Sequence, residues 1–169
     1  KERCLSTLGK EMVDNFSFLT EASVINTKMA EIREFRRIIE KQEDFPLDNF
    51  HDVREALKRV RIVNTHLEES ELFDLRRSLD TLHRIKRFLI PPTADEQPAY
   101  PTLALLAEEV TTYPTVIQRI DQILDKFGHI RDTASPALHD IRRELARMEG
   151  SISRTLNSIL RAAQSEGLV

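Results

Sequence analysis

The strongest constraint on this chain is a helix that begins near residue 136 and continues almost to the C-terminus. Ser135 can accept hydrogen bonds from the first amides, and Pro136 takes the first helical position, where a missing N–H costs nothing. Apolar residues then recur in steps of three and four, with one extra step of four. These residues, which we call the apolar seam, are Leu138, Ile141, Leu145, Met148, Ile152, Leu156 and Ile159. This spacing predicts a helix that pairs with another helix, as in a coiled coil with one stutter.

Four arginines lie on the opposite face of the same helix at about 100° per residue. This cationic stripe consists of Arg143, Arg147, Arg154 and Arg161. One interpretation is a surface that faces nucleic-acid phosphates and binds them in a salt-dependent way. The other is an ordinary solvated helix back, which we favour because Asp140, Glu144 and Glu149 lie among the arginines.

Length and charge limit the class of protein. The chain has 169 residues, a formal net charge of -3 and one cysteine, Cys4. This length suits one core with an extension, and the long helix, about 45 Å at 1.5 Å per residue, is expected to project beyond it. The charge argues against nucleic-acid binding by charge alone, and one cysteine cannot form an internal disulfide. Without a long apolar run or a signal-peptide pattern, we expect a cytoplasmic protein with no membrane partner.

Helical periodicity also dominates the residues before the long helix, so the sequence predicts an all-α fold. Helices are expected at 7–14, 21–42, just after Asp52, and at 68–89, 102–110 and 115–124. The helix at 21–42 has one apolar face, which consists of Ile25, Met29, Ile32, Phe35 and Ile39. Prolines at 91–101 predict a linker, and the turn through Gly128 is compatible with a tiny two-stranded hairpin. We therefore expect an irregular helical core at 1–134 and one long projecting helix at 135–169.

The sequence contains no recognisable catalytic, cofactor-binding or metal-binding motif. Gly9-Lys10 does not fit a phosphate-binding loop, because Cys4 stands where the first glycine is needed and Glu11 replaces serine or threonine. The five histidines lack the close pairing that places two imidazoles on one metal. We expect no enzymatic activity from this chain alone.

Three stretches resemble the MutS family, and specifically its second bacterial branch, whose members lack the mismatch-reading domain. The first is CLSTLGK at 4–10. The second is DVREALKR at 52–59 followed by ELFDLRRSL at 71–79. The third runs from Ile120-Asp121 through Gly128 into ASPAL at 134–138 and IRREL at 141–145, and then along the helix to Arg161. Their order and spacing carry the resemblance over nearly the whole chain.

The resemblance implies a MutS-like core at 1–134 and, at 135–169, the first, ascending lever helix that leads to a DNA-gripping clamp. The clamp and the descending lever helix, the natural partner of the seam, are absent from this chain. The ATPase, with its ATP and Mg, and a small nuclease domain lie in other parts of such proteins. Because the chain opens on Lys1 rather than methionine, we expect a segment of a longer polypeptide.

The function that the resemblance implies is ATP-dependent binding of branched, recombining or mismatched DNA by a homodimer that forms through the ATPase. Such a protein would act in DNA repair and in the suppression of recombination. A ribosome-associated rescue factor of the same family is an alternative, because RNA and DNA backbones attract the same arginines. A second alternative, independent of the resemblance, is a free-standing helical module whose seam pairs with itself or with another protein.

Overall fold

The computed structural model describes residues 2, 4, 6–48, 50–93 and 95–165. Within these residues the fold is all-α, as predicted, and contains no strand. The helices are α1 Thr7–Asp14, α2 Ala22–Glu40, α3 Arg54–Arg59, α4 Glu69–Leu89, α5 Pro101–Glu108, α6 Pro114–Ile123 and α7 Pro136–Ser165, with a short 3-10 turn at Asp132–Ala134. Leu5 in the first resembling stretch and 166–169 at the end of the predicted lever lie outside the described residues.

The chain divides by its contacts into two compact units, Lys1–Asp121 and Gln122–Val169. The boundary predicted between residues 134 and 135 lies within the second unit, and the assignment of 135–169 as a lever stays a prediction. None of the described helices is long and apolar enough to cross a membrane.

The core of the first unit lies where α2, α4 and α5 meet. Its buried residues include Ile38, Leu89, Tyr100 and Ala107. Aromatic rings continue this core from Phe35 to Phe45 at 5.4 Å, from Phe45 to Phe88 at 5.2 Å, and from Phe88 to Tyr100 at 6.3 Å between centroids. The first two pairs meet edge to face and the third is stacked, which are the favoured arrangements of aromatic rings. Packing of these rings joins the loop after α2 to α4 and to the start of α5.

The face that α2 turns to this core differs from the predicted one. Phe35 packs against the core and Ile38 is buried. The other residues of the predicted face, Ile25, Met29, Ile32 and Ile39, remain 37%, 48%, 60% and 59% exposed. The core-facing side is therefore rotated by roughly a third of a turn from the predicted side. Helix α2 carries two apolar stripes, and its packing on α5 selects the one that contains Ile38.

Two buried hydroxyls of α4 hold the loop that follows α2. Thr81 donates a hydrogen bond of 2.8 Å from Oγ1 to the carbonyl oxygen of Asp48. Ser78 Oγ accepts one of 2.8 Å from the backbone N–H of His51. Only 2% of Thr81 and 3% of Ser78 are exposed, so these bonds satisfy polar groups that water does not reach. The loop is thereby fixed along one side of α4.

Helices α3 and α4 begin in different ways. The helix expected just after Asp52 has Val53 at its cap position, and the carboxylate of Asp52 accepts a 3.2 Å hydrogen bond from the N–H of Arg54. Helix α4 begins with a capping box, in which Glu68 and Glu71 each accept a hydrogen bond from the other's backbone amide. Both glutamates lie at the positive end of the helix dipole, where carboxylates are favoured, and they also satisfy backbone amides there.

In the second unit, a tight turn leads from α6 into α7. Leu124 and Ile130 form a single antiparallel bridge, and the N–H of Asp125 donates a 2.8 Å hydrogen bond to the carbonyl of His129. Gly128 has a φ of 90°, which glycine adopts without a steric penalty. The predicted hairpin is therefore reduced to one bridge around a turn, without strands on either side.

Candidate pairing surface and cationic stripe of the long helix

The N-terminal end of α7 is fixed by local contacts. Ser135 Oγ accepts a hydrogen bond of 3.1 Å from the N–H of Leu138, as the predicted cap requires. Arg142, one turn further on, donates from Nη1 to the carbonyl of Ile130 at 3.0 Å and pairs with the carboxylate of Asp132. These contacts attach the first turns of α7 to the segment that precedes it.

The turn before α7 is also organised by a carboxylate. Asp125 Oδ1 accepts hydrogen bonds from the N–H of His129 at 2.9 Å and from that of Phe127 at 2.8 Å. The His129 amide, followed by that of Phe127 and opposed by desolvation, holds the pKa of Asp125 below its usual range. A charged Asp125 therefore stabilises the turn that aims the chain into α7.

The apolar seam lies on the surface of α7. No described residue of this helix is buried. Leu138 is half-buried, whereas the exposed fractions of Ile141, Leu145, Met148, Ile152, Leu156 and Ile159 lie between 53% and 61%. A continuous exposed apolar stripe of this kind is typical of an interaction surface. The continuous helix also confirms that the seam residues share one face, while the identity of their partner stays a prediction.

The cationic stripe is exposed along its whole length. Arg143 lies 3.9 Å from the carboxylate of Asp140, and Arg154 donates from Nε to the carbonyl of Gly150 at 3.1 Å. In the described part of the chain, the side chains of Arg147 and Arg161 form neither a hydrogen bond nor an ion pair. Four exposed guanidinium groups thus lie on one face, two of them in contact with their own helix, and their binding of nucleic acid stays a prediction.

Gly150 lies near the middle of α7. A Cβ atom placed on this glycine would have no heavy atom within 4 Å other than its immediate chain surroundings. No close approach of another described element therefore requires a glycine at this position.

Sequence reasoning missed a groove in the first unit, between α4 and the loop that Thr81 and Ser78 hold. Its volume is about 710 Å³, within the range of small-molecule sites. Leu47, in the loop after α2, is 48% exposed and lines this groove. At the polar end, His51 Nε2 is buried without a hydrogen-bond partner, 3.6 Å from the carboxylate of Asp74. The pair Phe45 and Leu47 in a proline-containing loop was the only sequence signal for this feature.

Two sequence features, the metal-ligating side chains and the pair Gly9-Lys10, can be located in the structure. Residues 2, 4, 6–48, 50–93 and 95–165 contain no cluster of three or more His, Cys, Asp or Glu that is positioned for a metal ion. Gly9 belongs to α1, and its N–H donates a hydrogen bond of 3.0 Å to Ser6 Oγ, the cap of that helix. Because Ser6 caps α1 by accepting this bond, Gly9-Lys10 belongs to a helical turn rather than to a loop.

Comparison with known proteins tests the resemblance to the MutS family. No protein-family model matches the chain, and no solved structure matches it. The chain is similar to curated proteins named Endonuclease MutS2, with 30% identity over 167 residues to that of Symbiobacterium thermophilum, 29% over 168 to that of a Geobacillus species and 26% over 166 to that of Alkaliphilus oremlandii. The resemblance to the MutS family is confirmed.

The similarity to these MutS2 proteins is almost complete along this chain and partial along the relatives. The matched residues make up 99%, 99% and 98% of the chain for the three proteins named above. They make up 20%, 21% and 21% of the MutS2 proteins themselves. The chain therefore spans about one fifth of the length of the curated relatives that it matches.

Proposed function

We propose that this chain is the helical core and ascending lever segment of a longer MutS-like protein that binds DNA during repair or the control of recombination. The observation that carries this proposal is the match of 99% of the chain to one fifth of proteins named Endonuclease MutS2. In this proposal the catalytic chemistry belongs to other parts of the longer protein. The contribution of these residues is mechanical.

The structure of α7 supports a lever role. The helix continues for 30 residues from Pro136 to Ser165, and its first turns are attached by Arg142 to the preceding turn. A helix fixed at one end transmits a displacement along its axis, as packed helices do in shear movements. The exposed seam would be covered by the descending lever helix, which lies outside this chain. Pairing of the two helices would stiffen the lever, and the paired lever would lead to the DNA clamp.

The longer protein, in this proposal, is a cytoplasmic homodimer that binds ATP and Mg and has endonuclease activity through domains outside this chain. Conformational change in the ATPase would reach the clamp through the core and α7. The isolated chain should therefore bind DNA weakly, because the clamp that would surround DNA is absent. The exposed arginines of α7 supply only a local and salt-sensitive attraction.

A binding experiment with the isolated chain tests this assignment. We expect weak binding to a four-way DNA junction at physiological salt, with little change when Arg147, Arg154 and Arg161 are all replaced by alanine. A control triple variant, Arg36→Ala, Arg61→Ala and Arg87→Ala, makes the same change in charge on exposed arginines of the first unit. Tight binding that the α7 variant abolishes and the control preserves would overturn the mechanical role, because α7 would then be a DNA-binding site in its own right.

A second experiment concerns the longer polypeptide. An antibody against this chain should detect, in the source cells, a protein several times heavier than 169 residues. A band at the mass of 169 residues would instead support the alternative of a free-standing helical interaction module. The exposed seam supports this alternative as well as the lever, because an unpaired apolar stripe is expected in either case.

A further inference from the structure

We propose that the groove between α4 and the loop after α2 is a docking site for an apolar helix of the longer polypeptide. This helix lies outside the chain, so the docking site rests on the proposed function, which supplies the longer polypeptide. Three features of the first unit support it: the extent of the groove along α4, the spacing of the residues that line it, and the prior use of its hydroxyl groups.

The groove is part of a longer apolar strip along α4. Its first part, about 710 Å³ in volume, lies beside the loop and is lined by Leu47, Leu82 and Ile85 among others. A second part of about 160 Å³ lies between α4 and α5 and shares Leu82 and Ile85 with the first. Along α4 the lining runs from Arg77 to Leu89, which is about 18 Å at 1.5 Å per residue. The strip therefore has the length of roughly three helical turns.

The residues at the base of the strip have the spacing that helices use to pack on each other. Leu82, Ile85 and Leu89 are three and four residues apart on α4, so they form one row on its surface. Such rows pack between the side chains of a second helix. The loop borders the first part with Leu47, 48% exposed, and α5 borders the second part with Leu106, 43% exposed. A helix with an apolar face would therefore contact apolar side chains along its whole length.

The hydroxyl groups of the lining already serve the fold. A small-molecule site usually adds to its apolar lining a few polar groups that converge on the ligand. Thr81 lines the groove, but its hydroxyl donates to the carbonyl of Asp48 at 2.8 Å. Ser6 also lines it, and its Oγ accepts the N–H of Gly9 at 3.0 Å. These hydroxyls hold the walls of the groove in place, so the lining suits a partner with apolar side chains.

The longer polypeptide is the best source of such a partner. The chain spans about one fifth of the length of the MutS2 relatives, so about four fifths of a protein of that length lies outside it. A segment tethered to this chain reaches an effective concentration of up to about 1 mM, which favours it over a separate partner. A second copy fits poorly, because a symmetrical interface must be self-complementary and two facing grooves would leave a cavity between them.

Labelling of an introduced cysteine with N-ethylmaleimide tests the docking site. Leu47→Cys is placed in a Cys4→Ser background, both in the isolated chain and in the protein expressed from its own gene in the source cells. Mass spectrometry then measures the labelling rate of the peptide that contains residue 47. We expect labelling to be about tenfold slower in the longer polypeptide, because the docked helix must open before the reagent enters. Val63→Cys is the control, since Val63 is 84% exposed and does not line the groove, and its rate should be similar in both proteins.

The mass of the protein from the source cells separates this inference from the proposed function. Equal labelling rates at residue 47 in the isolated chain and in a confirmed longer polypeptide would overturn the docking site alone. A source protein of only 169 residues would overturn both, because no further helix would exist. Protection that grows with the concentration of the isolated chain would indicate a second copy, and protection lost on dialysis would indicate a small molecule; either result would also overturn the docking site. Circular dichroism checks that each variant remains helical.

Discussion

The carboxylate of Glu34 on α2 accepts a hydrogen bond of 2.9 Å from the backbone N–H of Leu103 on α5. Its other oxygen accepts a bond of 3.0 Å from the N–H of Thr102. Tyr100, at the cap position of α5, forms no side-chain cap, and Pro101 occupies the first helical position. A side chain 68 residues earlier in the sequence therefore caps α5. The contact joins two of the three helices that form the core.

Removal of this cap should destabilise the first unit. Glu34→Ala leaves the amides of Thr102 and Leu103 without their acceptor, and loss of a helix cap costs about 1 to 2 kcal/mol. Urea unfolding measures the change. Glu40→Ala is the control, because Glu40 forms only an exposed ion pair with Arg36 and should change stability by less than about 0.5 kcal/mol. Equal losses in the two variants would show that the Glu34 contacts do not stabilise the fold.

The same contact should make stability depend on pH. Desolvation raises the pKa of Glu34, but the hydrogen bonds from Leu103 and Thr102 outweigh it and hold the pKa below the ordinary value of 4.5. Because the folded-state pKa is the lower one, the charged cap contributes fully above pH 4.5, and the contribution is lost as pH falls through the folded-state value. The stability difference between the wild type and Glu34→Gln should therefore shrink on acidification. A difference that stays constant from pH 6 to pH 3 would contradict this linkage.

The pKa of Asp52 should lie well below the ordinary value of an aspartate, 3.8. Arg54 donates to its two carboxylate oxygens from Nε at 2.9 Å and from Nη2 at 2.7 Å. These side-chain hydrogen bonds, followed by the backbone bond from Arg54, lower the pKa of Asp52 to about 2. Carbon-detected NMR titration should show this value in the wild type and a rise toward 3.8, the ordinary value, in Arg54→Gln. Arg36→Gln, on α2, should leave the Asp52 titration unchanged.

Two adjacent isoleucines should respond very differently to truncation. Ile38 is 1% exposed within the core, whereas Ile39 is 59% exposed. Ile38→Ala leaves a cavity and should lower the free energy of unfolding by about 2 to 5 kcal/mol. Ile39→Ala should change it by less than about 0.5 kcal/mol in the isolated chain. Thermal or urea unfolding checks both, and a larger loss at Ile39 would place the wrong side of α2 in the core.

The stability of the first turn of α7 should depend on the side chain of Ser135. Ser135→Ala removes the acceptor of the Leu138 amide, so hydrogen exchange of that amide should become faster. The expected loss of local stability is about 1 kcal/mol. Ser151→Ala, in the exposed interior of the same helix, should not accelerate exchange at Leu138. Equal exchange rates at Leu138 in the wild type and Ser135→Ala would show that the hydroxyl does not cap the helix.

Helix α7 and the all-α class were predictable because their signals are local. A capping serine, a proline at the first position and a regular apolar repeat all act within a few residues, and each is visible in the sequence. The turn before α7 was partly predictable, since Gly128 marked its centre. Only one residue pair forms a bridge around this turn. The number of residues that pair on either side of a turn is not determined by the strand propensity of those residues.

The buried side of α2 was not predictable because it depends on contacts distant in sequence. Ile38 and Ile39 have the same hydrophobicity, and the packing of α5 against one of them decides which is buried. The cap from Glu34 and the groove beside Leu47 have the same origin. For the candidate site, the sequence predicted which residues share each face of α7, but a repeat on one helix does not specify what either face binds.

Gly150 has a mechanical consequence for α7. Glycine in the interior of a helix costs roughly 1 kcal/mol relative to alanine, and no neighbouring atom here requires its small size. Bending strain applied to α7 would therefore concentrate near residue 150 and spare the capped first turns. Helix α7 would then consist of two stiff segments that meet at a more flexible position near residue 150. The substitution Gly150→Ala, which adds one methyl group, would be enough to stiffen that position.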